Sequence, residues 1–188
     1  MGIKLISFTN VKSTNDEAIR LIKKNITRPT LIITKKQSKG RGQMGKKWLS
    51  ITGNLFLSIF FEINHKKINF KQYAILNAFI IRKILSKYVL KKIKIKWPND
   101  LLIDRKKVCG ILQEVINHKE KKFMIVGVGI NTLSSPNIFE LQATNLCQYS
   151  KKKIDNKKIL KDIKNEYEKF LNEIKKFSYR KLSKKMKN

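Results

Sequence analysis

Acidic residues are scarce: thirteen Asp and Glu face forty-three Lys and Arg, a formal charge of +30 over 188 residues. So lopsided a balance steers acidic partners toward the surface. It does not by itself mark a nucleic-acid binder. Lysines far outnumber arginines and are spread through every segment, with Ile and Asn also abundant, a pattern that AT-rich codons produce. Clustering on one face, the usual footprint of phosphate binding, is missing. Cysteine is nearly absent. Cys109 and Cys147 have neither metal-ligand spacing nor the density of a disulfide framework, and are expected as reduced thiols filling small apolar sites. Apolar runs are short, the stretch at 55–61 being among the longest, against the roughly 20 residues that span a bilayer. The first residues lack the basic start, apolar centre and cleavage site of a secretory signal, so the expected location is cytoplasmic. No internal repeat and no Gly/Ser/Pro linker divides the chain. One domain over residues 1–188 is expected, with the tail at 178–188 fraying.

What is present alternates between the two regular periods. Residues 3–8, 31–34, 48–50, 55–62, 93–97, 101–103, 108–116 and 122–128 read as strands, with 104–106 and 117–121 as hairpin loops. Ser13, Thr14 and Asn15 stand at a helix start, with Ser13 or Thr14 as N-cap, Asp16 and Glu17 in the first turn and Ala18, Ile19, Leu21 and Ile22 following. Apolar residues recur at helical spacing over 70–88 and again over 157–177. Helices set against consecutive hairpin-linked strands predict an α+β fold with a mixed, mainly antiparallel sheet and packed helices.

Glycine is sparse as well, eight in all, yet three fall at Gly40, Gly42 and Gly45. Backbone N–H groups open to close approach, beside Arg41, Lys46 and Lys47, have the chemistry of a phosphate-binding loop. The loop is neither a P-loop nor a dinucleotide-binding turn, since GxxxxGK[ST] is absent and no helix follows. Alone it reads equally as a long basic hairpin loop. Lys96-Trp97-Pro98-Asn99-Asp100 displays a cation, an amide and a carboxylate from a turn stiffened by proline, or else is a tight turn with a core tryptophan and a surface ion pair. Residues 127–132 form a strand that ends in small residues and Asn131, which reads also as a loop cap.

Together these segments resemble the catalytic domain of the biotin-protein ligases. The resemblance runs from Ser13 to Thr132 in family order: STN, QSKGRGQMGKKW, GNLFLS, KWPND, KVCGILQE and VGVGIN. It implies the fold shared with lipoate ligases and distantly with class II aminoacyl-tRNA synthetases, and a two-step activity. Biotin is first activated with ATP as biotinyl-5'-AMP, then transferred to a lysine of a biotin carboxyl carrier protein or domain, here expected to be acidic. Carried over residue by residue, the resemblance implies that Ser13, Thr14, Asn15 and Gln37 meet the ureido end of biotin. Gly110, Ile111 and Leu112 would lie beside biotin, and Arg41, Gly42, Gln43 and Lys96 would hold its carboxylate and the α-phosphate. Gly40, Arg41, Lys46, Trp48, Asn99, Asp100 and Asn131 are implied near ATP, with Asp100 as a candidate on the Mg²⁺ side and no firm metal ligand. Arg41 and Lys96 are the expected catalytic cations, since charge builds around phosphorus as pyrophosphate leaves and the reaction needs no protein nucleophile.

The chain departs from the family at its loop, where Gln43, Met44 and Lys46 stand in place of further arginines, so fewer planar donors grip phosphate. No helix-turn-helix precedes the first strand, and specific DNA binding is not expected. After Thr132 the only convincing element is the helix at 157–177. A bare catalytic domain, monomeric or homodimeric and without the small β-barrel of many relatives, is the expectation. Two alternatives stay open: a lipoate or octanoate transfer enzyme of the same fold, and a non-catalytic adenylate- or nucleic-acid-binding remnant.

Overall fold

The computed structural model describes residues 2–63, 67–137 and 142–187. Seven strands form one sheet: β1 (Lys4–Val11), β2 (Thr30–Gln37), β3 (Leu55–Ile63), β4 (Lys94–Lys96), β5 (Asp100–Ile103), β6 (Lys106–His118) and β7 (Lys121–Ile130). They lie in the order β1-β2-β3-β7-β6-β5-β4. Only β1 and β2 pair in parallel, bridged by the crossover helix α1 (Thr14–Lys23), and every other ladder is antiparallel. Helices α2 (Phe70–Leu85), α3 (Asn156–Glu173) and α4 (Tyr179–Lys187) complete the fold. The expected α+β class and mixed sheet are observed. Among the described residues no helix is long and apolar enough to cross a membrane.

Strand periodicity divides the core in two. Leu31, Leu57, Ile59, Met124 and Val126 belong to the larger cluster, with Tyr73, Ile80 and Ile84 of α2 and Ile159, Ile163, Tyr167 and Phe170 of α3. Ile32, Phe60, Phe123 and Ile125, one residue out of phase, join Ala18, Leu21 and Ile22 of α1. Alternate side chains of a strand face opposite ways, so α1 covers one face and α2 and α3 the other. Burial on both faces explains why β3 is continuously buried from Leu55 to Phe61. Asn69 and Gln72 close a reciprocal capping box at the start of α2, and Asp155 accepts Lys157 N–H at the start of α3. Two-residue hairpins join β5 to β6 through Asp104 and Arg105, both at positive φ, and β6 to β7 through Lys119 and Glu120.

Four expectations are corrected. Residues 48–50 are not a strand: the 40–48 loop pairs only with itself, through an isolated Arg41–Lys47 bridge around a 3₁₀ turn at Gln43–Gly45. Ser13 occupies the N-cap position of α1 but its hydroxyl makes no capping bond. Cys109 is buried as expected, whereas Cys147 is exposed. The tail does not fray through its length, since α4 returns onto α2 and Leu182 is fully buried in the larger cluster, an anchor that composition does not reveal; residue 188 lies outside the described residues.

Candidate active site

Along the α1 face of β7 the side chains change abruptly. Phe123 and Ile125 pack under α1, and the next two positions on that face are Gly127 and Gly129. Gly110 of β6 is paired with Gly129, and Leu112 with Gly127. The sheet therefore has a low floor just beyond the N-terminus of α1. A Cβ on Gly127 would stand 2.4 Å from Asn15 Oδ1, on Gly129 2.3 Å from the Trp48 ring, and on Gly110 2.7 Å from that ring. Between these groups runs a cleft lined at one end by Ser13, Thr14, Asn15 and Gln37 and at the other by Trp48 and Lys107, with Arg41 across its mouth.

The first end is neutral and polar. Gln37 Oε1 accepts from Thr14 N–H (2.8 Å) and from the Thr14 hydroxyl (3.1 Å), while Gln37 Nε2 donates to Ser50 Oγ (3.1 Å). The buried Ser58 hydroxyl lies against both Thr14 Oγ1 and Asn15 Oδ1, and its single proton serves one of them. Asn15 Nδ2 donates to Glu114 Oε2 (2.7 Å) and reaches Leu112 O (3.4 Å). Hydroxyls and amides in fixed orientations, with no charge in contact except Glu114 at the rim, suit a neutral ligand that both donates and accepts.

The second end is cationic. Gly42 N–H donates to Lys46 O and Trp48 N–H to Gly40 O, which folds the loop back and turns the indole down onto the glycine floor. Arg41 reaches across the mouth to Glu114 through two hydrogen bonds of 2.9 and 2.7 Å and lies 2.9 Å from Asp16. Hydrogen bonding to Glu114 holds its guanidinium above its already high value against partial burial, and the charges of Glu114 and Asp16 add to this. Lys107 Nζ lies over the Trp48 ring, 5.4 Å from the centroid. It forms an ion pair with Asp100, 2.7 Å from Oδ1.

Of the residues expected here, Ser13, Thr14, Asn15, Gln37, Arg41, Gly42, Gln43, Trp48, Asn99, Gly110, Ile111 and Leu112 all line the cleft. Five others do not. Lys96 is exposed on the edge strand β4, and Lys46 is exposed on the loop. Gly40 is buried beneath Trp48, where a Cβ would come 2.6 Å from Trp48 O. Asp100 is taken by Lys107. Asn131 is not on the cleft lining: its backbone bonds Val108 and Leu146 and its Nδ2 donates to Thr144 O at 3.1 Å, while its buried Oδ1 has no hydrogen-bond partner. Asp100 thus has a lysine, not further carboxylates, as its neighbour. Among the described residues no group of three His, Cys, Asp or Glu could hold a cation, so the donor set does not fit a protein-held Mg²⁺. Lys107, Glu114 and the Gly127/Gly129 pair were missed. The first two stand inside KVCGILQE, but one lysine in a lysine-rich chain carries no signal; the alternating glycines did.

Residues 5–131 match the Biotin/lipoate A/B protein ligase family. The bifunctional ligase/repressor BirA of Bacillus subtilis is 34% identical over 169 residues, covering 87% of this chain and 52% of that protein. The biotin--[acetyl-CoA-carboxylase] ligase of Paracoccus denitrificans is 28% identical over 127 residues, covering 66% of this chain and 52% of that protein. The chain spans about half the length of these curated relatives. Among solved structures, the biotin protein ligase of Aquifex aeolicus in complex with biotin and ATP superposes with a TM-score of 0.80 at 32% identity, over 97% of this chain and 76% of that one. A lipoate protein ligase of Thermoplasma acidophilum shares the fold, with a TM-score of 0.65 at 8% identity. The match covers β1 to β7, the elements that build the glycine floor, the polar end and the basic loop; the chain belongs to the Biotin/lipoate A/B protein ligase family.

Proposed function

We propose that the chain activates biotin with ATP as biotinyl-5'-AMP and passes the biotinyl group to a lysine of a carrier protein. One observation carries this reading: a single cleft joins a neutral end of hydroxyls and amides (Ser13, Thr14, Asn15, Gln37) to a cationic end at Lys107 across a floor without side chains, with Arg41 over its mouth. A ligand with a neutral urea at one end and a carboxylate at the other matches that polarity, with Ile111 and Leu112 beside its chain.

In the first step a biotin carboxylate oxygen bonds to the α-phosphorus of ATP as the bond from that phosphorus to the pyrophosphate oxygen breaks. Negative charge grows on the α-phosphate oxygens, and fixed cations with backbone N–H groups stabilise it. Lys107 takes this role in preference to Lys96, because its ammonium is on the cleft wall, held between Asp100 and the Trp48 ring, while Lys96 points from an exposed edge strand. Arg41 lies across the mouth of the same cleft. In the second step a neutral lysine amine of the acceptor attacks the carbonyl of the mixed anhydride, and AMP leaves with the former carboxylate oxygen. Any Mg²⁺ arrives with the nucleotide, and no step is assigned to it. Two unpaired cysteines suit a reducing, cytoplasmic setting, and the net charge of +30 suits an acidic carrier.

The test is incubation with ATP, labelled biotin and a biotin carrier domain. Label should enter the carrier only when all three are present, and biotinyl-adenylate should form without the carrier. Absence of both products from folded protein would overturn the reading.

A further inference from the structure

Ser58 is the one polar side chain in the buried run of β3 from Leu55 to Phe61, and it neither lines the cleft nor meets solvent. It stands behind the neutral end, paired across the sheet with Gly127. Four oxygens run in a row there: Gln37 Oε1, Thr14 Oγ1, Ser58 Oγ and Asn15 Oδ1, with successive contacts of 3.1 Å, 2.7 Å and, at the Asn15 end, a still shorter one. The two end atoms are acceptors whatever the hydroxyls do. Thr14 N–H donates to Gln37 Oε1 at 2.8 Å, which fixes that amide. Asn15 Nδ2 faces two acceptors, Glu114 Oε2 at 2.7 Å and Leu112 O at 3.4 Å, which turns Oδ1 to Ser58. Each of the three contacts taken alone is a hydrogen bond, but together they draw on only two hydroxyl protons. Among the described residues no other donor is bonded to either hydroxyl oxygen.

Oxygens this close with no proton between them repel, so the contact that goes without is the longest, Thr14 to Gln37. The Thr14 hydroxyl then donates to Ser58, and Ser58 donates to Asn15. We infer that Ser58 is a positioning residue that sets the donor–acceptor polarity of the neutral end: by drawing the Thr14 proton away from the cleft, it leaves Gln37 Oε1 and Thr14 Oγ1 side by side as acceptors. The free site is one proton short, and a ligand N–H supplies it. A ligand of the same shape with oxygen in that place brings a third acceptor and is rejected, because buried acceptors are left unpaired. Ser58 thereby selects the N–H edge of a urea without touching it. The identity of that ligand rests on the function proposed above.

The probes are biotin and its two cyclic-carbamate analogues, each with oxygen in place of one ureido N–H, bound by calorimetry without ATP. The wild type should bind one of the analogues roughly ten- to a hundredfold more weakly than biotin, the effect of leaving a buried acceptor unpaired. In Ser58→Ala the Thr14 hydroxyl is free to turn toward the cleft, and that preference should shrink to about threefold or less. Ser58→Cys, which nearly keeps the volume but carries a poor donor, should fall between the two and gives the same reading should the alanine variant fail to fold. A role in packing alone would weaken all three ligands by one factor, and an unchanged preference in both variants would overturn the inference. Proton NMR of the free protein reads the order of the chain directly. The Thr14 hydroxyl proton should show an Overhauser contact to Ser58 Hβ, and a contact to Gln37 Hγ in its place would overturn the inference as well. A wild type that binds biotin with the stated preference but forms no adenylate would sink the proposed function and leave the role of Ser58 standing.

Discussion

Gly127→Ala tests the architecture most directly. The new methyl carbon would lie 2.4 Å from Asn15 Oδ1 and 3.0 Å from its Cγ, an ångström inside the 3.4 Å at which ordinary contact begins. Asn15 has nowhere to go, being tied to Ser58, to Leu112 O and to Glu114 while its backbone begins α1. If its side chain moves, a bond to a charged group and a neutral one are lost, at about 1.5–3 and about 1 kcal/mol respectively; if it stays, overpacking costs about 1–3 kcal/mol. The two routes span a loss of about 1–4 kcal/mol, which for a chain of this size lowers Tm by roughly 2–15 °C. Gly129→Ala is the matched control. Its methyl group would meet the Trp48 ring at 2.3 Å, but that ring belongs to a loop that can lift, so the expected loss of stability is below about 1 kcal/mol while Trp48 fluorescence shifts to longer wavelength. Thermal and urea unfolding of both variants in a Trp97→Phe background, with biotin affinity by calorimetry, measures the contrast. Biotin binding should weaken at least about tenfold in Gly127→Ala, since the polar end is displaced. A Gly127→Ala protein that melts with the wild type, or no worse than Gly129→Ala, would refute the claim that the glycines exist to seat Asn15 and Trp48.

Lys107→Ala should leave the fold intact and slow adenylate formation by roughly a hundredfold to a thousandfold, the usual effect of losing one charge-stabilising donor, while Lys96→Ala should change it less than about threefold; pyrophosphate exchange measures both, and the reverse order would restore Lys96 to the mechanism. Lipoate should compete poorly with biotin in the same assay, because a ligand without the urea leaves the groups around Asn15 unpaired, and equal competition would favour a lipoate enzyme. A thiol reagent should label one cysteine in the native protein and two in denaturant: Cys147 is exposed, whereas burial raises the Cys109 thiol well above its usual range and keeps it protonated. Rapid native labelling of both would show that β6 is not packed as described.

The sequence by itself determined the elements and the family. Period-two runs such as 122–128 and period-3.6 runs such as 70–88 report burial directly, since each follows from which side chains a single strand or helix must hide. Their boundaries moved by only a few residues where pairing continued past the apolar stretch, as in β2 and β7. The motifs also found the neutral end and the loop, because Ser, Thr and Asn at a helix start and glycines among lysines have few uses. Tertiary structure separated the two candidate cations by position. Lys96 and Lys107 each open a motif, and nothing local separates them; β4 is the sheet edge and faces solvent, while β6 is central and presents Lys107 beside the Gly110/Gly129 floor. It also decided that Trp48 is a lid on glycine and not a strand residue, and that Asn131 braces the chain at 144–146. The junction at Glu114 joins residues 73 and 99 positions apart. A charge at one position specifies no partner until the sheet register brings Glu114 beneath Arg41 and beside Asn15, and that register is a property of seven strands together.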